Sequence, residues 1–195
     1  MIEILIASNN LGKTKEISDL LALYQLHGVS YQKYHQRLVF PEEQLDYREN
    51  ALQKATFIQQ QLQTTLPVLG DDSGLSLAAL PTMFNAQTHR DLAAGAPLSH
   101  AAYLCQLLAD VPADQRQITL TSYLVLKIGT CTYTGTGTLT GKVALESRGT
   151  GGFDLDQIVI PAGLSQTLAE LPLQQRQKYE QRRLAIENLL INVKR

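Results

Sequence analysis

The chain of 195 residues is 44% hydrophobic and 18% charged, a composition ordinary for a globular protein that buries a sizeable core. Its net charge of −1 argues against the strong attraction that long nucleic acids require, so a small anionic ligand fits better. No apolar stretch approaches membrane-spanning length, and Cys105 and Cys131 stand in no metal or redox spacing. We therefore expect no membrane partner and free thiols in a reducing cytoplasm.

Apolar patterning and turn residues predict an alternation of strands and helices along the chain. In chain order, the expected elements are a buried strand at residues 2–6, a helix at 14–23, a partly polar strand at 29–40, a helix at 47–62 and a short strand at 67–69. They continue with a helix at 98–109, β-rich runs at 119–128 and 131–139 joined like a hairpin, a strand at 158–160 and a last helix at 174–193. This order predicts a mixed α/β fold.

The polar loop at residues 8–13, Ser-Asn-Asn-Leu-Gly-Lys, separates the first strand from the first helix. It offers the Lys13 side chain and backbone amides at a helix N-terminus, an arrangement that binds anions. Gly12-Lys13-Thr14 resembles the end of a P-loop, but Ala7 stands where that motif requires glycine. Taken alone, the loop is equally compatible with a plain strand-to-helix turn that carries a surface lysine.

The segment Asp71-Asp72-Ser73-Gly74 follows an apolar run and predicts a tight turn at the end of a strand. Two adjacent carboxylates suit a hard divalent cation, and ligand sites in α/β sheets gather at the carboxyl ends of strands. The alternative is a turn in which the aspartates form only local hydrogen bonds. Together, a phosphate loop and a cation site indicate chemistry on a metal-bound nucleotide.

A later segment, residues 149–156, combines glycines with Phe153 and two acids. Such a loop can close over a heterocyclic base and stack an aromatic ring on it. An ordinary connector that places Phe153 in the core explains the pattern as well. The acidic residues Glu42, Glu43 and Glu49, around the start of the second predicted helix, also have a structural explanation, because carboxylates favour the first helical turn.

Taken together, these segments resemble the inosine/xanthosine triphosphate pyrophosphatase family. The matching motifs, in family order from residue 4 to about 190, are Ala7-Ser8-Asn9-Asn10-Leu11-Gly12-Lys13, Glu49-Asn50-Ala51 with Lys54-Ala55, Asp71-Asp72-Ser73-Gly74-Leu75, and Gly149-Thr150-Gly151-Gly152-Phe153 with Asp156. The resemblance implies an elongated mixed β-sheet flanked by helices, with residues 1–195 forming one domain of two lobes around a central cleft. It also implies a homodimer that cleaves a nucleoside triphosphate between the α- and β-phosphates.

The site that the resemblance implies has a phosphate and metal end and a base end. Lys13 would supply charge to the triphosphate, and Asp72 would bind magnesium and orient or deprotonate the attacking water. The implied ligands of Mg²⁺ are Glu42, Asp71 and Asp72. The implied substrate contacts are Ser8, Asn9, Asn10, Gly12, Lys13, Ser73, Phe153, Asp156, Arg176, Gln181 and Arg182.

The departures from the family pattern concentrate at the base end, where a stacking aromatic residue, a glycine and the histidine of a Ser-His-Arg motif are missing. The residues at the changed positions include Asp154, Leu155, Gln157, Glu180 and Gln181. Phosphoryl transfer depends mostly on the metal and on positioning, whereas base choice depends on matched hydrogen bonds. We therefore expect the chemistry to be retained, and the preference for inosine or xanthosine stays open.

The leading hypothesis is a magnesium-dependent pyrophosphatase that acts on nucleoside triphosphates such as ITP and XTP, with altered or relaxed base choice. The alternative is a nucleotide-binding paralogue with weak or no catalysis and an interaction role, because several base-end residues are lost. A P-loop kinase is a weaker third hypothesis, since Ala7 breaks the motif. We favour the enzyme, because a protein without catalysis has little reason to keep a pair of like-charged carboxylates.

Overall fold

The computed structural model describes residues 2–41, 46–152 and 154–194, and its central feature is a β-sheet. Within these residues the sheet has six strands: β1 (Glu3–Ala7), β2 (His27–Ser30), β3 (Val68–Leu77), β4 (Gln117–Ile128), β5 (Cys131–Val143) and β6 (Val159–Pro161). Their spatial order is β2-β1-β3-β4-β5-β6. β1 pairs in parallel with β2 and β3, whereas β5 and β6 are antiparallel, so the prediction of a mixed α/β fold is confirmed.

The α-helices of the described residues are α1 (Leu11–Ala22), α2 (Tyr47–Gln61), α3 (Thr88–Ala93), α4 (His100–Leu107), α5 (Leu173–Arg176) and α6 (Gln181–Val193). Both α1 and α2 begin at polar N-caps, because Asn10 and Asp46 accept backbone N–H bonds from the first helical turn. None of the helices in the described part of the chain combines the length and the apolarity that crossing a membrane requires.

The chain divides into two compact units, of which the first comprises Met1–Ser73, Ser122–Gly137 and Arg182–Arg195. Its core follows from the alternation of β1, whose successive side chains point to opposite faces. Ile4 and Ile6 pack with the apolar faces of α1 and α6, whereas Leu5 and Ala7 pack with the apolar face of α2. All of these side chains are buried, so β1 has helices on both of its faces.

The second unit comprises Gly74–Thr121 and Thr138–Gln181. Its core gathers buried side chains of β3, β4 and β6 against α4, and Leu77, Leu104 and Ile118 are among them. At the edge of this unit β6 pairs with the end of β5, with Ile160 opposite Lys142. The short helix α3, which the sequence did not predict, contributes Leu92 to the same core.

The acidic segment shows the largest difference between prediction and structure. The sequence predicts a tight turn at residues 71–74, but β3 runs through these residues without interruption as far as Leu77. The pairing of β3 with β1 ends at Gly70, but the strand continues beside β4, where a turn would leave backbone groups of β4 without ladder partners. The prediction of a turn at the aspartates is therefore wrong.

Smaller differences concern the ends of elements. α1 starts at Leu11 rather than at residue 14, because the Asn10 cap allows the helix to begin within the loop. The strand predicted at residues 29–40 is only β2, which ends at a short 3₁₀ turn (Tyr31–Lys33). The helix predicted at 174–193 is divided at Glu180, whose ψ of 112° is extended, where the chain passes from the second unit to the first.

Candidate active site

The candidate site begins at the loop between β1 and α1. Asn10 Oδ1 accepts the Lys13 backbone N–H at 3.0 Å, and the Ser8 hydroxyl accepts the Asn10 N–H at 3.1 Å. Gly12 lies in the first turn of α1, where a Cβ atom would approach Asn10 Oδ1 to 3.3 Å. The loop thus presents the N-terminal amides of α1 together with the Lys13 ammonium, which is an arrangement suited to anions.

β3 carries its two aspartates to opposite faces, because successive side chains of a strand alternate. Asp71 faces the side of α1 and α6, where it meets Lys13 and Arg182. Asp72 faces the side of α2, where it meets Lys54. Both aspartates are 3% exposed, so their charges depend on protein partners rather than on water.

Asp71 is surrounded by side chains of the first unit. Its Oδ2 atom lies 3.3 Å from Lys13 Nζ, and its Oδ1 atom lies 3.5 Å from Arg182 Nε. The buried hydroxyl of Ser122, on β4, donates a hydrogen bond of 3.1 Å to Oδ1. Cations and a hydroxyl therefore converge on a single carboxylate.

Asp72 is held by two residues of α2 that lie one helical turn apart. Lys54 Nζ donates to Oδ1 at 2.8 Å, and Asn50 Nδ2 donates to Oδ2 at 2.9 Å. Each carboxylate oxygen therefore has a donor, and the orientation of the group is fixed. α2 can approach this closely because the residue of β3 that precedes the acid pair is Gly70, where a Cβ atom would lie 2.0 Å from the Ala51 carbonyl oxygen.

The two adjacent carboxyls differ in acidity. Burial disfavours the charged form of Asp71, but the charges of Lys13, Arg182 and Lys54 outweigh it, so the pKa of Asp71 lies below its ordinary value. Burial raises the pKa of Asp72, and Lys54 offsets this only in part. The pair thus combines a carboxylate that stays ionised with a more basic one, a division suited to cation binding and proton acceptance.

A phenol lies in the same environment as Asp72. Burial, with the Asp72 charge, raises the pKa of Tyr47 to about 12. Tyr47, the first residue of α2, therefore remains a neutral hydroxyl throughout the physiological range.

Ser73 and Arg182 complete the cluster. The Ser73 hydroxyl accepts hydrogen bonds of 2.8 Å from both Lys13 Nζ and Arg182 Nη2. Arg182 Nη1 also donates to Glu16 of α1 at 2.6 Å. The resemblance implies a base contact for Arg182, and the structure brings it together with Ser73 and Asp71.

Carboxylate oxygens such as those of Asp71 and Asp72 are the ligands that Mg²⁺ prefers, although the two groups face opposite sides of β3. Among the described residues, Asp71 Oδ2 is buried without a hydrogen bond but has the Lys13 ammonium 3.3 Å away, so a metal ion bound there would compete with Lys13. In the same part of the chain, no three His, Cys, Asp or Glu side chains come together as a metal site. Glu42, the third predicted ligand, lies outside the described residues.

The second unit carries most of the residues predicted for the base end. Gly149 and Gly152 have φ values of 83° and 73°, and Cβ atoms there would collide with Ala169 and Asp156. Arg176 Nε lies 3.9 Å from Asp156 Oδ2, so these two predicted residues are close neighbours. The loop at residues 149–152 is therefore tightly packed against Ala169 and Asp156.

The remaining residues of this end are Asp154, Gln181 and Phe153. Asp154, at a φ of 53°, has a carboxylate oxygen 2.9 Å from His100 Nδ1 of α4. Gln181 is half-buried at the first position of α6. Phe153, the predicted stacking residue, lies outside the described residues.

Comparisons with known proteins show the family of the chain. A model of the Ham1 family matches residues 4–191. The chain belongs to the Ham1 family. The resemblance to the inosine/xanthosine triphosphate pyrophosphatases is confirmed, since relatives in this family carry names of that kind.

Solved structures of Ham1 proteins have the same fold. A HAM1 protein from Coxiella burnetii matches with a TM-score of 0.81 and 27% identity, over 100% of this chain and 99% of that one. A nucleoside-triphosphatase, dITP/XTP pyrophosphatase, from Mycobacterium abscessus matches with a TM-score of 0.72 and 28% identity over 100% of both chains.

Relatives in the family carry two kinds of name. A protein of Limosilactobacillus reuteri named dihydroneopterin triphosphate diphosphatase is 40% identical over 189 residues, which is 95% of each chain. A dITP/XTP pyrophosphatase of Lactiplantibacillus plantarum is 30% identical over 194 residues, covering 96% of this chain and 92% of that protein.

Sequence reasoning assigned no role to four side chains of the cluster, namely Glu16, Asn50, Lys54 and Ser122. Asn50 and Lys54 belong to one family motif, and their spacing of four places them on one helix face. Glu16 follows Lys13 by three residues and shares its face in the same way. Ser122 is a buried polar residue among the apolar residues of β4, and the sequence offered no signal for its partner.

Proposed function

We propose that this Ham1-family protein hydrolyses a heterocyclic triphosphate between its α- and β-phosphates, releasing a monophosphate and pyrophosphate. The observation that carries the proposal is the buried pair Asp71 and Asp72, with Lys13 and Arg182 on one face of β3 and Lys54 on the other. Two adjacent buried carboxylates oppose folding unless they are compensated, and such pairs cluster at functional sites. The names of relatives support the same reaction class.

The residues of the first unit take separate roles in this proposal. Lys13 and the amides at the start of α1 bind the triphosphate. Asp71 stays ionised, and Asp71, Asp72 and Glu42 would hold Mg²⁺. Because the two aspartates face opposite sides of β3, one of their side chains has to turn toward the ion when it binds. Asp72, held in orientation by Lys54, also orients the attacking water and accepts its proton. A magnesium ion bound there would offset the negative charge of the phosphates as the bond breaks.

The base end of the proposal rests on the family resemblance. Phe153, Asp156, Arg176 and Gln181 would contact the heterocycle and set its identity. We further propose that the protein is cytoplasmic, which suits the free thiols of Cys105 and Cys131 because no disulfide joins them. We also propose a homodimer, which the family resemblance implies. Light scattering after size exclusion measures the mass of the assembly, and a monomer would refute that part.

A specific observation favours a second candidate substrate. The relative that is 40% identical to this chain is named for dihydroneopterin triphosphate, whereas relatives named for dITP and XTP are 26% to 33% identical to it. This chain also departs from the purine-specific pattern at positions such as Leu155 and Gln181. A reduced pterin triphosphate is therefore the first substrate to test beside ITP and XTP.

The test is release of pyrophosphate, with magnesium, from inosine, xanthosine, guanosine, adenosine, cytidine, uridine and dihydroneopterin triphosphates. The control is Asp72→Asn, which keeps the shape and an acceptor oxygen but removes the base. We expect the variant to fold like the parent by circular dichroism and to lose about 100-fold or more in turnover. A fully active variant would refute the role of Asp72. Binding without turnover on every substrate would favour the nucleotide-binding alternative.

A further inference from the structure

Tyr31 is fully buried, and its hydroxyl connects separate segments of the first unit. It donates to Asn9 Oδ1 at 2.5 Å and accepts the Leu38 backbone N–H at 2.8 Å. Asn9 Nδ2 in turn donates to the Leu38 carbonyl oxygen at 2.8 Å. These hydrogen bonds form a closed ring that joins the loop at residues 8–13 to the chain at Leu38.

The side chain of Asn9 is engaged at both ends by this ring. Its oxygen accepts a further hydrogen bond of 3.3 Å from Gln32 Nε2, so both lone pairs have donors. Its nitrogen is directed to the Leu38 carbonyl. The sequence predicts a direct substrate contact for Asn9, but these contacts indicate that its side chain fixes the backbone of the loop.

The ring of Tyr31 adds packing to the hydrogen bonds. It meets the edge of Phe40 with centroids 5.9 Å apart, and Phe40 meets Phe57 of α2 at 5.7 Å. Such aromatic pairs contribute beyond the area that they bury. Residues 38–40 are therefore fixed to the loop at residues 8–13 through the hydroxyl of Tyr31, and to α2 through the ring of Phe40.

We propose that Tyr31 is a positioning residue of the triphosphate loop. Through Asn9, its hydroxyl holds residues 8–13 in the conformation that presents the α1 amides and Lys13 to the phosphates. Removing the hydroxyl leaves Asn9 Oδ1 with one donor fewer and the Leu38 N–H without its acceptor in a half-buried place, so either the loop shifts or these groups stay partly desolvated at a cost in free energy. The inference rests on the proposed function only in taking a polyphosphate as the ligand of the loop.

The test compares Tyr31→Phe with Tyr24→Phe. Tyr24 follows α1 in the same unit and donates a hydrogen bond of 2.7 Å to Glu187, so the control loses one hydroxyl away from the loop. We measure the dissociation constant of magnesium tripolyphosphate by calorimetry, KM and kcat with the substrate found above, and thermal unfolding. Tyr31→Phe should weaken tripolyphosphate binding and raise KM by about 10-fold, the factor expected for one buried hydrogen bond, with kcat changed less than about threefold.

The control decides between a positioning role and a merely structural one. Tyr24→Phe should lower the unfolding temperature while leaving binding and KM unchanged. If Tyr31→Phe does the same, the proposal is overturned. Should Tyr31→Phe fail to fold, Asn9→Ala replaces it, because that variant removes the acceptor for Tyr31 and the donor to Leu38 without adding a charge to the loop. Weaker binding by Asn9→Ala supports the proposal, and unchanged binding overturns it.

The binding measurement also separates this inference from the reaction. A parent protein that binds tripolyphosphate but hydrolyses no triphosphate refutes the proposed function, and the two tyrosine variants still decide the role of Tyr31. A parent protein that does not bind tripolyphosphate overturns the inference itself, because the loop would then not be a phosphate site.

Discussion

Gly70 is the residue whose replacement tests the geometry of the acid pair most directly. It precedes Asp71 on β3, and a Cβ atom there would lie 2.0 Å from the Ala51 carbonyl oxygen and 3.1 Å from the Ala55 nitrogen, both on α2. Ordinary contact begins at 3.4 Å, so in Gly70→Ala the carbonyl has to retreat from 2.0 Å by about 1.4 Å. Because these are backbone atoms, no side-chain rotation relieves the clash, and α2 itself has to move.

The displaced helix carries both partners of Asp72. Asn50 and Lys54 donate hydrogen bonds of 2.9 and 2.8 Å to its carboxylate, and a shift of that size takes them out of hydrogen-bonding range. A misplacement of about 1 Å at a catalytic group costs about 100-fold in rate. Overpacking costs about 1–3 kcal/mol, or roughly 2–4 °C in unfolding temperature for each kcal/mol. We therefore expect Gly70→Ala to lose about 100-fold in kcat and several degrees in stability.

The assay is pyrophosphate release combined with thermal unfolding of the same preparations. The matched control is Gly163→Ala, since Gly163 has a φ of 83° and no atom of the described residues lies within 4 Å of where its Cβ would stand, so only backbone strain is added. The control should lose stability and keep its kcat. Full activity of Gly70→Ala would show that the close approach of α2 does not set the orientation of Asp72.

Two other substitutions probe single interactions. Lys54→Met removes the 2.8 Å ion pair with Asp72, so we expect kcat to fall by about 10- to 100-fold and to recover in part in Lys54→Arg. Steady-state kinetics measures kcat, and a value for Lys54→Met equal to that of the parent would contradict this. Glu170 accepts the Thr167 backbone N–H, which lowers the pKa of Glu170 below 4.5, so its charged form stabilises the fold above that pH. Urea titrations should therefore find Glu170→Gln less stable than the parent at pH 7. The difference in the free energy of unfolding should shrink as the pH falls below 4.5 and through the lower pKa of Glu170 in the folded protein. A difference that stays constant with pH would refute this pH dependence.

The elements that sequence predicts best are those with a strong local signal. The first strand and the second helix appear where apolar spacing predicts them, at β1 and α2. α3 was missed because its six residues are too short for a helical pattern to show. The division of the last helix at Glu180 was missed for another reason, because no proline or glycine marks it.

The charged residues of the candidate site that belong to sequence motifs could be predicted from the sequence. Lys13, Asp71 and Asp72 were identified from sequence, and the structure brings Lys13 beside Asp71. Their internal partners were not identified, because the Ser122 hydroxyl reaches Asp71 across 51 residues of sequence, and a single chain gives no sign of such a pairing. The same applies to Tyr31, because no feature of the sequence indicates the hydrogen bonds of its hydroxyl with Asn9 and with the Leu38 N–H.

The continuation of β3 through the acidic segment gives the two aspartates different chemistry. In the turn that the sequence predicts, both carboxyls would face water and keep similar pKa values. In the strand, alternation places Asp71 beside Lys13 and Arg182 but leaves Asp72 with Lys54 and an amide. The pKa of Asp71 therefore falls and that of Asp72 rises, although the residues are identical and adjacent. The period of the strand is thus the physical reason why two identical, adjacent carboxyls have pKa values shifted in opposite directions.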